Sequence, residues 1–110
     1  MEIVRGDTKA LKFQRKMNDE PILDRVDKAY FTVKKNTSED EPIFQKTIND
    51  MTFDSEGFYH FIVEPEDTNN LTYGDYVYDV EVMIGSTYKK TISRGTLSIV
   101  DEVTFPINEV

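Results

Sequence analysis

Hydrophobic and polar residues alternate with a period of two along most of the chain, and no stretch sustains the 3.6-residue period of an amphipathic helix. The first run is Ala10–Gln14, with Leu11 and Phe13 on one face. Met17–Pro21 reads as a turn, and a second strand follows from Lys28 to Lys35. Its Ala29, Phe31 and Val33 are predicted to point inward, and Lys28, Thr32 and Lys34 outward. After the polar loop Asn36–Pro42, the run Ile43–Ile48 alternates poorly. Together with Lys46 and the nearby Pro42, that marks it as an edge strand, where a charge or a proline discourages pairing with other chains.

Ser55-Glu56-Gly57 predicts a turn into a strand at Phe58–Val63, with Tyr59, Phe61 and Val63 on the core face. Pro65–Leu71 is the one segment that reads as a helical turn. Proline suits a first helical position, and the acids after it suit the positive end of the peptide dipoles. The strongest strand opens at Gly74-Asp75, with Tyr76, Tyr78, Val80, Val82 and Ile84 on one face. Gly85-Ser86 predicts a two-residue hairpin turn. A return strand follows from Thr87 to Ser93, Gly95 breaks or bulges the chain, and a last strand covers Thr96–Val100. Short strands separated by turn signals predict an all-β protein, an immunoglobulin-like sandwich of about seven to eight mostly antiparallel strands. The expectation is one domain over residues 1–110, with its core in 3–104 and a short acidic tail at 105–110.

Composition narrows the chemistry. At 110 residues the chain is long enough to bury a core without disulfides or a metal. It contains no Cys, which excludes a disulfide framework, a thiolate zinc site and a cysteine nucleophile, and favours a compartment such as a bacterial cytosol. No apolar run is long enough to span a membrane, and the N-terminus has no signal-peptide pattern. The net charge of −8 opposes binding to nucleic acid, where Lys and Arg neutralise phosphate, and opposes attraction to anionic lipid. Neither nucleic acid nor membrane is therefore an expected partner.

Catalytic side chains are scarce. The single histidine, His60, lies between Tyr59 and Phe61 on the face away from the predicted core, and no Gly-x-Ser-x-Gly accompanies it. The acidic clusters Glu39-Asp40-Glu41 and Glu64, Glu66, Asp67 lack the spacing of a calcium loop and read as solvated loops. The five glycines form no phosphate-binding loop. Arg5-Gly6-Asp7 spells an adhesive tripeptide, but reads better as a glycine bend leading into the first long strand. Tyr76 and Tyr78 fit the core, whereas Tyr73 and Tyr88 are candidates for exposed aromatics that cap the sandwich ends or stack on a partner. No catalytic, cofactor-binding or metal-binding residue is assigned, no cofactor is expected, and the protein is not expected to be an enzyme.

Several short motifs fall in a telling order: Gly6-Asp7-Thr8, Ala29-x-Phe31-x-Val33, Gly57-x-Tyr59-x-Phe61, Pro65-Glu66-Asp67-Thr68-x-x-Leu71, Gly74-x-Tyr76-x-Tyr78-x-Val80, Gly95-x-Leu97-x-Ile99 and Val103-Thr104. In order and spacing they resemble the immunoglobulin-like N-terminal domain of phage baseplate upper proteins. The likeness runs from about Ile3 to Thr104. It implies a non-enzymatic structural and docking module in the tail or baseplate of a phage or prophage of a Gram-positive host. Such a module is assembled in the host cytoplasm, resides in the virion, and docks on other virion proteins or further copies of itself. In that family the domain usually precedes a longer C-terminal part that trimerises, and this sequence departs from the pattern by stopping at Val110. The competing expectation is a carbohydrate-binding or adhesin-type β-sandwich module, which rests on the exposed tyrosines.

Overall fold

The structure, a computed structural model, describes residues 1–23, 26–38, 41–49 and 54–101. The protein is all-β. Its strands are β1 (Glu2–Val4), β2 (Lys9–Gln14), β3 (Lys16–Met17), β4 (Glu20–Pro21), β5 (Lys28–Lys34), β6 (Phe44–Asn49), β7 (Phe58–Val63), β8 (Gly74–Ile84) and β9 (Tyr88–Val100), and one helical turn, α1, covers Pro65–Thr68. Five strands form a curled sheet in the order β1-β9-β8-β5-β6; β2 and β7 pair separately, and β3 and β4 make a small ribbon.

Alternation in sequence becomes alternation in space. Ala29, Phe31 and Val33 of β5, Val80 and Val82 of β8, and Leu97 and Ile99 of β9 turn to the inner face and are buried. Leu11 of β2 and Tyr59, Phe61 and Val63 of β7 meet them from the facing pair. Phe31 is the hub. Its ring centroid lies 5.7 Å from Tyr78, 5.9 Å from both Phe13 and Phe61, and 6.1 Å from Phe44. Burying each such side chain is worth roughly 1.5–3 kcal/mol, so this aromatic cluster carries much of the cohesion between the two sheets.

The predicted edge strand holds its place, with β6 at one margin of the five-stranded sheet. The turn at Met17–Pro21 is the β3–β4 hairpin, whose Asn18 and Asp19 take positive φ angles of 52° and 66°. These are the residue types that tolerate that region, as a tight hairpin turn requires.

Four features depart from the expectation. First, Glu2–Val4 forms a strand, and it runs parallel to β9, so the sheet is mixed. The run is only three residues long, too short for an alternation signal; Ile3 alone is buried in it. Second, the β8–β9 connection has three residues, because Ile84 pairs with Tyr88. Gly85 has φ of 63° and donates its N–H to the Asp27 carboxylate. Third, Gly95 does not break the strand: β9 is continuous, and its register slips between Val80 and Glu81 instead, leaving Ile92 as the extra residue opposite them. Glycine stands at position 95 because the Tyr78 ring lies against it, where a Cβ would be 3.1 Å from the ring. Fourth, α1 ends at Thr68, short of the predicted Leu71, and Leu71 packs against the core from the segment that follows it. The tail at 105–110, the motif Val103-Thr104, and Glu39 and Asp40 lie outside the described residues.

Candidate functional site

The first motif, Gly6-Asp7-Thr8, meets the helical turn. Gly6 has φ of +83°, and its N–H donates to the Thr68 hydroxyl at 2.8 Å across 62 residues of sequence. Thr68 is fully buried. Arg5 reaches the Leu71 carbonyl at 3.3 Å and lies 4.2 Å over the Tyr73 ring, while the Tyr73 hydroxyl donates to Asp101 at 2.7 Å. Arg5-Gly6-Asp7 is thus tied into the fold: its arginine is committed to Leu71 and Tyr73 and is not displayed on a free loop.

The acidic cluster after β7 is structural in the same way. Asp67 accepts the Glu64 N–H at 2.8 Å at the start of the turn and pairs with Lys46 of β6 at 2.7 Å. Lys46 shares the inward side of β6 with the half-buried Phe44 and Ile48. The lysine read as an edge guard therefore points inward and fastens the edge strand to α1, an arrangement that also blunts an edge.

His60 stands on the outward face of β7, paired with Asp54 at 2.8 Å. Asp54 also accepts the N–H groups of Glu56 and Phe58, at 2.9 Å and 3.0 Å. The Phe58 N–H and the His60 ring hold its carboxyl below the ordinary carboxylate range. The pair closes the turn before β7. Among the described residues, no three His, Asp or Glu side chains converge as a metal-binding group. No helix there is long and apolar enough to cross a membrane.

Of the four tyrosines weighed, Tyr76 and Tyr78 lie in or against the core. Tyr73 and Tyr88 are 46% and 44% exposed. They lie at opposite ends of the β8–β9 pair, eleven residue steps along β8 or roughly 36 Å apart, so they do not share one stacking platform.

The outer face of the five-stranded sheet carries the feature that sequence reading did not find. Two cross-strand rows run over it, Thr32–Asp79–Arg94 and Lys34–Val77–Thr96. Curling of the sheet turns them into a concavity of about 490 Å³, with Thr37 contributing from the loop after β5. Asp79 and Arg94 face each other in register, yet no ion pair joins them, and Lys34 likewise pairs with no described residue. The only sequence signal was the outward alternation of Thr32 and Lys34 on β5 and of Val77 and Asp79 on β8; their meeting depends on strand register.

No protein-family model matches the chain, and neither a curated protein nor a solved structure shows significant similarity to it.

Proposed function

We propose that the chain is a non-enzymatic structural and docking module of a phage or prophage virion, in the tail or baseplate, and that its two facing sheets are the layers of an immunoglobulin-like sandwich. The observation that carries this reading is the ordered motif set. Its most specific piece, Pro65-Glu66-Asp67-Thr68 followed by Gly74-x-Tyr76-x-Tyr78, supplies α1 and the start of β8. Within it, Thr68 receives the Gly6 bend of the first motif, and Tyr76 is anchored in the core by its hydroxyl to the Thr72 carbonyl at 2.8 Å. The first motif and the turn motif, 62 residues apart in sequence, therefore meet in space.

A docking role suits a body that measures 52 × 33 × 25 Å and leaves β1 and β6 as the margins of its larger sheet. Such margins accept an added strand, and loop ends offer further contact. The partners are other virion proteins and further copies of the chain; the location is the virion, after assembly in the host cytoplasm.

Affinity capture with the tagged chain from the lysate of an induced lysogenic host, followed by mass spectrometry, tests the proposal. Enrichment of tail or baseplate proteins is the expected result. Retention of cell-wall polymer without virion proteins would reject it in favour of a carbohydrate-binding module. Light scattering on the purified chain reports self-association in the same preparation.

A further inference from the structure

The geometry points to a ligand site on the outer face of the five-stranded sheet: the concavity over Val77 binds a small polyol bearing one acid group, either a sugar acid or a sugar or polyol phosphate. This inference does not rest on the docking role.

Three charged side chains line the site, and among the described residues none of them forms an ion pair or a side-chain hydrogen bond. Opposite charges directly across an antiparallel pair ordinarily attract and meet. Asp79 and Arg94 are such register partners on one face and both line the concavity, yet no ion pair joins them. Lys34 sits one row away, on the far side of Val77. Strand spacing puts the Lys34 and Arg94 Cα atoms about 12 Å apart, within the reach of two long side chains converging on one bound group. Asp79 and Lys34 are half-buried, so their charges act through less water than on an open surface.

The chemistry of the lining selects the ligand. Arg94 offers a planar fork that takes a carboxylate or phosphate through two parallel hydrogen bonds, and Lys34 adds a second cation. Asp79 repels a bare anion but accepts hydrogen bonds from hydroxyl groups. Thr32 already accepts a hydrogen bond from the Gln45 amide at 2.8 Å, which leaves its own O–H to donate. Val77 gives an apolar floor for the C–H face of a ring or chain. A volume of about 490 Å³ suits one or two sugar-sized units.

Overall charge sets the upper limit on ligand charge. The lining carries two cations and one anion, in a protein of net charge −8. Screening over about 8 Å lets a small ligand sense chiefly the lining, whereas a polyanion extends into the repulsive field beyond it. The site therefore favours polyols that carry a single carboxylate or phosphate group and rejects nucleic acid and other polyanions.

Amide-resolved NMR titration of the full chain tests the assignment, with glucuronate and glycerol 3-phosphate as acidic polyols, glucose and glycerol as neutral controls, and inorganic phosphate as the bare anion. Saturable shifts centred on Thr32, Asp79, Arg94 and Thr96 are expected with an acidic polyol, and the stronger of the two probes tells carboxylate from phosphate. Arg94→Ala and Lys34→Ala should each weaken binding about tenfold, the usual effect of removing a hydrogen bond to a charged group. Asp79→Asn should weaken the acidic polyol while strengthening inorganic phosphate, an opposition of sign that general destabilisation does not produce. Thermal melts establish that each variant is folded. The assignment is overturned if millimolar acidic polyol gives no saturable shift at these amides, if neutral sugars bind equally well, or if inorganic phosphate alone matches the acidic polyols in the unsubstituted protein.

Discussion

Replacing Thr68 by valine isolates one hydrogen bond between the N-terminal bend and the helical turn. Threonine and valine have nearly the same shape, so the buried site stays filled. What changes is that the Gly6 N–H, now held 2.8 Å from the Thr68 hydroxyl, faces a methyl group. Leaving a buried donor without an acceptor costs about 1–3 kcal/mol. Gly6 itself is half-buried, which lets water partly replace the lost acceptor, so the expected loss is the lower part of that range, about 1–2 kcal/mol. Thr68→Ser keeps the bond and removes one methyl from a fully buried site, for about 1 kcal/mol. Thr68→Ala removes both and should cost about 2–3 kcal/mol.

Urea denaturation measures these differences. With a slope of about 1–1.5 kcal/mol per molar urea for a chain of this size, the valine variant should unfold about 1 M earlier than the parent. Stability alone does not separate valine from serine, because their costs overlap. Hydrogen exchange does: the Gly6 amide should lose protection in Thr68→Val and keep it in Thr68→Ser. An unchanged midpoint in the valine variant, with an unchanged exchange rate at Gly6, would refute the view that this bond holds the N-terminal bend.

Three further substitutions probe other parts of the fold. Gly95→Ala should cost about 1 kcal/mol through its contact with the Tyr78 ring, and the cost should vanish in a Tyr78→Ala background, as a double-mutant cycle by denaturation would reveal. Lys46→Met removes a partly buried partner of Asp67, with side-chain exposures of 25% and 14%, and should destabilise by about 1–2 kcal/mol, more than an exposed pair, as read by thermal melts. Asp54 has a folded-state pKa below its ordinary value, so its ionised form favours the folded protein; that contribution is present above the unfolded-state pKa and is lost as pH falls through the folded one. Asp54→Asn should therefore be less stable than the parent near neutral pH, and the two denaturation midpoints should converge in acid.

Much of the fold was legible because one face of each long strand is buried. Ala29-x-Phe31-x-Val33 and Tyr59-x-Phe61-x-Val63 alternate in sequence for the same reason that they alternate in space: a one-residue slip would turn every apolar group to water. The edge position of β6 was legible from its poor alternation, although its lysine has a partner that sequence does not reveal. Ile3 was not legible, since a three-residue strand beside β9 gains its burial from long-range pairing. Gly95 misled for a related reason. A glycine in a strand signals a bulge or a close approach, and only the packing of Tyr78 decides between them.

The outer concavity was hidden by register. Lys34, Asp79 and Arg94 lie on three strands, and each reads in sequence as an ordinary solvent-facing charge. Had Gly95 carried the bulge, Arg94 would have entered the ladder with a different partner and on a different face. Because the slip falls at Ile92 instead, Arg94 sits across from Asp79 and Thr96 across from Val77. The bulge therefore does more than accommodate an extra residue. It decides which polar side chains share the outer face with β5, and shifting it should dismantle the concavity while leaving the inner pairing of Leu97 with Tyr76 intact. Deleting Ile92, by contrast, removes the extra residue: Ser93 would stay across from Val80 and Thr91 across from Glu81, so the ladder would run without a slip and Arg94 would remain across from Asp79. Amide shifts confined to the neighbourhood of Val80, Glu81, Thr91 and Ser93, with Arg94, Thr96 and Leu97 unmoved, are the expected NMR result, and shifts spreading through the outer row would refute the register.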